Sequence, residues 1–131
     1  MTPVKQTKFH DIDGKGNCLE ACCASLLDMK IEDVPDMRDE KWFGVMWNLF
    51  QDHGYEIISC MDTDNCMSYK GIDGYYIVAG ESPRGVHIPG GHGVIYKNGK
   101  LVHDPHPDNT GLIDPWYGIM IEPKKKTNEI P

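Results

Sequence analysis

The dipeptide Asn98-Gly99 constrains this chain more than any other short stretch. A two-residue hairpin turn needs positive φ at both central positions, and Asn and Gly tolerate it best. The flanks fit: Gly93-Val94-Ile95-Tyr96 runs into the turn and Leu101-Val102 leaves it. The expected register sets Tyr96 opposite Leu101, which returns Asp104 near the level of His92 or Gly93. Adjacent strands lie about 5 Å apart, so Asp104 falls within side-chain reach of His92. Pro105 and Pro107 stop the second strand, since proline has no N–H to give a ladder.

Upstream of the hairpin the hydrophobic period is helical. Leu19, Cys22, Cys23, Leu26 and Leu27 form one apolar stripe, with Asn17 the expected N-cap and Asp28 the end. Residues 1–9 read as an extended arm, and residues 10–17, HDIDGKGN, as a turn-rich loop. A second helix is expected over 39–53, with Trp42, Val45, Met46 and Leu49 on one face and Gly54 as its C-cap. Trp42, Trp47 and Trp116 are assigned to the core. Strands are expected at 55–59, 74–79, 93–96, 101–102 and 117–121. Helices first and strands after predict an α+β fold, the N-terminal helix packed on an antiparallel sheet.

The 131 residues are one domain's worth of chain, assigned here to 1–123 with a polar tail at 124–131. A formal net charge of −7 disfavours a phosphate backbone as partner, so nucleic acid is not expected. No apolar run approaches the roughly 20 residues of a membrane span, and residues 1–6 carry no apolar signal core. A cytosolic protein without a membrane partner is the expectation. The five cysteines, an odd number with two adjacent, argue for free thiols rather than a disulfide framework. Cys22 and Cys23 belong to the helical stripe and are expected in the core. Cys60 and Cys66 flank a polar loop and lack the second ligand pair that a zinc site needs.

Three places carry chemistry. Gly16-Asn17-Cys18 puts a thiol at the mouth of the first helix, where the dipole and unsatisfied N–H groups favour the thiolate. The competing reading is a structural buried cysteine. His92 opens a strand directly after Gly90-Gly91, where missing Cβ atoms leave room for a substrate backbone. It is either a base for a nearby thiol or a structural, hydrogen-bonded histidine. Asp104, in His103-Asp104-Pro105-His106-Pro107, is placed to accept from the second ring nitrogen of His92. The alternative for His103, Asp104, His106 and Asp108 is a metal cluster; Pro105 interrupts the strand alternation that such a cluster would use. Ser82-Pro83-Arg84-Gly85 reads either as a plain turn or as a loop offering Arg84 to a substrate carboxylate.

The order Cys18, His92, Asp104-Pro105 resembles the papain-like peptidases that trim double-glycine leaders in bacteriocin exporters. The chain as a whole looks still more like short phage and bacterial papain-like proteins. The shared stretches are Pro3-Val4-Lys5-Gln6, Gly16-Asn17-Cys18, Ala24-Ser25-Leu26-Leu27, Glu32-Asp33-Val34-Pro35, Ser82-Pro83-Arg84-Gly85 and His103-Asp104-Pro105-His106-Pro107. The resemblance implies a papain-like fold and a Cys18-His92-Asp104 triad that forms a thioester with a peptide, isopeptide or related amide. It implies a peptide or protein substrate, no cofactor and no metal. Leader peptidases also place a Gln shortly before the Cys for the oxyanion hole. Here the nearest is Gln6, twelve residues upstream, a departure that an insertion at 10–17 accommodates. Gln6 and the Cys18 N–H are the expected oxyanion donors, with Asn17 as the substitute. Gly91, Arg84 and His106 are the expected substrate contacts. The leader peptidases are fused to transporters and this chain carries none, so their substrate is not implied. The rival to catalysis is a papain-like module that captures a host or partner protein.

Overall fold

The computed structural model describes residues 1–9, 15–62, 71–84 and 91–124, of which 59–62 are described by their backbone alone. The order is helix α1 (Cys18–Leu27), a 3-10 turn at Ile31–Asp33, helix α2 (Trp42–Asp52), then strands β1 (Tyr55–Asp62), β2 (Tyr75–Glu81), β3 (His92–Lys97), β4 (Lys100–His103) and β5 (Asp114–Pro123). The strands form one sheet, ordered β1-β5-β2-β3-β4, and every neighbouring pair is antiparallel. The fold is therefore α+β, with an N-terminal helix on a five-stranded antiparallel sheet.

The hairpin forms as its sequence dictates. Asn98 and Gly99 take φ of 53° and 75°, and Tyr96 pairs with Leu101. The next pair departs from plain register. His103, not Val102, stands opposite Ile95, so β4 carries a bulge. A bulge adds one residue to one strand and re-aims the side chains that follow. Continuing that register sets Asp104 at the level of Val94, one residue short of Gly93, and its side chain makes up the difference to His92.

The larger core lies between the helices and one sheet face. Cys22, Cys23 and Leu26 of α1 and Met46, Leu49 and Phe50 of α2 meet Ile57, Ile77, Ile95, Ile119 and Ile121. Each fully buried side chain of this size is worth roughly 1.5–3 kcal/mol. Tyr76, Val78 and Val94 form a smaller cluster, with Tyr96, Leu112 and Met120 packed against it. Helix α1 is buried along most of its length, from Glu20 to Leu26. Gly93 of β3 lies beneath it, its missing Cβ position 3.8 Å from Cys22 Sγ.

Several expectations need correction. Asn17 makes no side-chain cap to α1. Its carboxamide turns to the arm instead. Helix α2 begins at Trp42 rather than 39, because Asp39 holds a turn ahead of it, accepting from Lys41 N at 2.9 Å through Oδ1. Gly54 follows α2 at φ 86° as expected, one residue past the cap His53. Trp42 packs against the core, but Trp47 and Trp116 are 39% and 44% exposed. Trp47 lies beside Phe43 on the outer side of α2, and Trp116 covers Gly91. Cys60 sits within β1, which runs three residues past its expected end; Cys66, Gly90, Gly85, residues 10–14 and the tail from 125 lie outside the described residues.

Candidate active site

Two independent parts of the fold deliver the site. Helix α1 starts at Cys18, so the thiol occupies its first turn and is half-buried. Strand β3 starts at His92, which is 4% exposed. The Cys18 thiol lies close enough to the His92 ring to favour its charged form. His92 Nε2 lies 2.7 Å from Asp104 Oδ1, which leaves Nδ1 to the thiol. Cys22 and Cys23, at 0% exposure, are core residues; burial pushes both thiols up, away from the nucleophilic thiolate.

Asp104 is 3% exposed and spends both oxygens. Oδ1 accepts from His92 Nε2 and from His106 N at 2.9 Å; Oδ2 accepts from Gly111 N at 2.8 Å. Burial opposes its ionised form, but these three hydrogen bonds outweigh burial and hold the carboxyl below the usual carboxylate range. Burial likewise opposes the charged form of His92. The hydrogen bonds to Asp104 and Cys18 overcome it and raise the imidazole from 6.5 to about 9. At neutral pH the ring facing the thiol is an imidazolium.

The arm closes the site from one side. Asn17 Oδ1 accepts from Thr7 N at 3.0 Å and Lys8 N at 2.8 Å, and Asn17 Nδ2 donates to Thr7 Oγ1. Gln6 is 7% exposed; its N donates to Pro105 O at 3.0 Å and its Nε2 to Lys8 O at 3.0 Å. That leaves one amide hydrogen of Nε2, and Gln6 Oε1 is buried with no partner among the described residues. A buried carboxamide oxygen without a donor costs about 1–3 kcal/mol, so its retention calls for a use.

The expected substrate contacts divide. His106 stands beside the pair, its ring centroid 6.4 Å from that of His92 and 5.3 Å from that of Phe9. Burial and the nearby Arg84 keep His106 below the ordinary histidine value. Arg84 Nη1 donates to both oxygens of Asp108 and to Thr110 Oγ1, which ties the segment after β2 to the loop after β4. Gly91, at φ 70°, is required by packing. A Cβ there would meet Gly80 O at 2.3 Å and the Trp116 ring at 2.6 Å, so the space expected for a substrate backbone is occupied by the protein itself. His103 Nε2 bonds Val4 O at 2.7 Å, away from Asp104. Among the described residues no three His, Cys, Asp or Glu side chains are grouped to hold a metal ion.

Sequence reasoning missed two residues near the site. Lys5 reaches three acceptors in the loop after β4. Glu20, buried in the first turn of α1, accepts from Met37 N at 3.2 Å, and burial raises its carboxyl. Neither has a local signal, since Lys5's partners lie 99 residues and more along the chain. Comparison with family models, curated proteins and solved structures found no match to this chain.

Proposed function

We propose that this is a papain-like thiol enzyme, a hydrolase or acyltransferase acting on a peptide, isopeptide or related amide bond. The observation that carries the reading is the continuous line from the Cys18 thiol through the His92 ring to the fully anchored Asp104 carboxylate. A thiolate paired with an imidazolium is the attacking form of such a nucleophile.

In this mechanism Cys18 Sγ attacks the substrate carbonyl carbon and the C=O electron pair moves to oxygen. The Cys18 N–H, unsatisfied at the start of α1, and the free Gln6 amide hydrogen stabilise that oxyanion. His92 gives its proton to the leaving amine as the C–N bond breaks, which leaves a thioester. The neutral ring then takes a proton from water or an acceptor amine as it attacks, and Cys18 leaves as thiolate. Asp104 fixes the ring tautomer and stabilises the imidazolium throughout. His106 and Arg84 border the place where substrate enters. A cytosolic setting suits a reactive free thiol, and no helix among the described residues is long and apolar enough to cross a membrane.

One observation favours a second reading, a module that binds a partner protein without cutting it. Both carboxamides expected as oxyanion donors, Gln6 and Asn17, already donate within the arm. Iodoacetamide labelling, located by peptide mass spectrometry across pH 5 to 9, separates the two. The enzyme reading expects Cys18 to label fast below pH 7 and His92→Ala to lose that reactivity. Labelling of Cys18 no faster than Cys60 or Cys66 sinks it and leaves the binding module.

A further inference from the structure

The arm does more than cover the site. Four consecutive residues on the acid side, 103–106, are each bonded to the arm residues 4–6. His103 Nε2 bonds Val4 O at 2.7 Å, Gln6 N donates to Pro105 O at 3.0 Å, and Lys5 Nζ donates to Asp104 O at 2.8 Å and His106 O at 3.1 Å. The third proton of the Lys5 ammonium goes to Asn109 Oδ1. An ammonium has three donors and no acceptor, so this set saturates it. The acceptors span the loop that both begins with Asp104 and returns to it through Gly111 N. Asn109 sits at φ 57°, a left-handed turn that its own N–H to His106 O helps close. The cation therefore occupies the middle of the loop as a bound ion would, with charge-assisted bonds stronger than neutral ones.

We infer that Lys5 is a positioning residue for Asp104: its ammonium holds the 104–109 loop in the one shape that presents the carboxylate to His92. This rests on the Cys18-His92-Asp104 reading and adds to it a residue that touches neither substrate nor the reacting atoms. Its opposite, a lysine that acts only through its charge, predicts the reverse effect on His92. Removing a nearby positive charge raises an imidazole's pKa, whereas letting Asp104 drift away lowers it. The titratable or charged groups that face His92 are Cys18 from α1 and Asp104 and His106 from the loop, with Arg84 and Asp108 beyond His106. None of them changes in the variant.

The test is the imidazole titration of His92 by proton-carbon NMR in the full chain, wild type against Lys5→Met. The wild-type midpoint is expected near 9, and Lys5→Met is expected to lower it by roughly one unit. A midpoint that stays or rises in Lys5→Met, with wild type near 9, overturns the role of Lys5 and leaves the triad standing. A wild-type midpoint near 6.5 overturns both, because Lys5 then holds no paired Asp104. If Lys5→Met does not fold, Asn109→Gly removes one of the three acceptors while keeping the left-handed turn. It is expected to lower the midpoint by a smaller amount, and no change there counts against the inference equally.

Discussion

The two ends of the candidate site are built to opposite standards. At the acid end the carboxylate is fully engaged: Asp104 accepts three hydrogen bonds, and Lys5, Arg84 and Asn109 tie the surrounding loop. At the thiol end Cys18 is half-buried, Asn17 turns away from the helix it precedes, and Gln6 keeps a buried oxygen without a partner. A fully satisfied network fixes one geometry, and an unsatisfied one leaves capacity for something not yet bound. The difference teaches that the fold pre-orients the His92 imidazole, while the carboxamide of Gln6 keeps an acceptor open to a donor that arrives.

The sharpest way to break that comparison is Asp104→Ala. It strands two backbone N–H groups and a buried imidazole, so a loss of about 3–4 kcal/mol is expected from the urea unfolding midpoint. A loss below about 1 kcal/mol would show that the acid end is not the rigid one. Next comes pH. The His92 imidazole is raised in the folded chain, so its contribution is whole below about pH 6.5 and vanishes as pH rises to about 9. The Asp104 carboxyl is lowered, so its contribution fades instead as pH falls below its ordinary value of 3.8. Wild type should therefore lose stability between pH 6.5 and 9, by at most about 3 kcal/mol, and Asp104→Asn should be much flatter over that window. A wild-type curve with no such slope removes the ion pair. The smallest stability effect belongs to the thiol end. Gln6→Leu removes an orphaned oxygen, so its midpoint should move by less than about 1 kcal/mol. Under the enzyme reading the same change lowers turnover of a cleavable amide roughly 100-fold or more. If Gln6→Leu instead costs as much stability as Asp104→Ala, the two ends are alike and the contrast is wrong.

How much of this was legible follows from range. Asn98-Gly99 dictates its own turn, and Tyr96 opposite Leu101 follows from two residues of local geometry. The helix at Cys18 and the core placement of Cys22 and Cys23 follow from a 3.6-residue period. The bulge at Val102 has no such signature, since an extra residue in an edge strand leaves no mark on the hydrophobic period. Asn17 has the side chain of a cap, but two backbone donors of the arm compete for its oxygen and win. By sequence Gly91 reads as an opening because glycine removes atoms. Whether the vacancy serves a ligand or a neighbour depends on Trp116, 25 residues away, which sequence spacing does not disclose.

The lysine clasp also sets an order of events. Lys5 and its acceptors on residues 104 and 106 are separated by 99 and 101 positions. At ribosomal rates of about 5–20 residues per second, the arm waits roughly 5–20 s for its partners to be made. During that interval the residues of α1 are made but the 104–109 loop is not. Under the enzyme reading, the Cys18 thiol meets its imidazole partner only after synthesis has passed the hairpin, so its reactivity would arrive with completion of the fold.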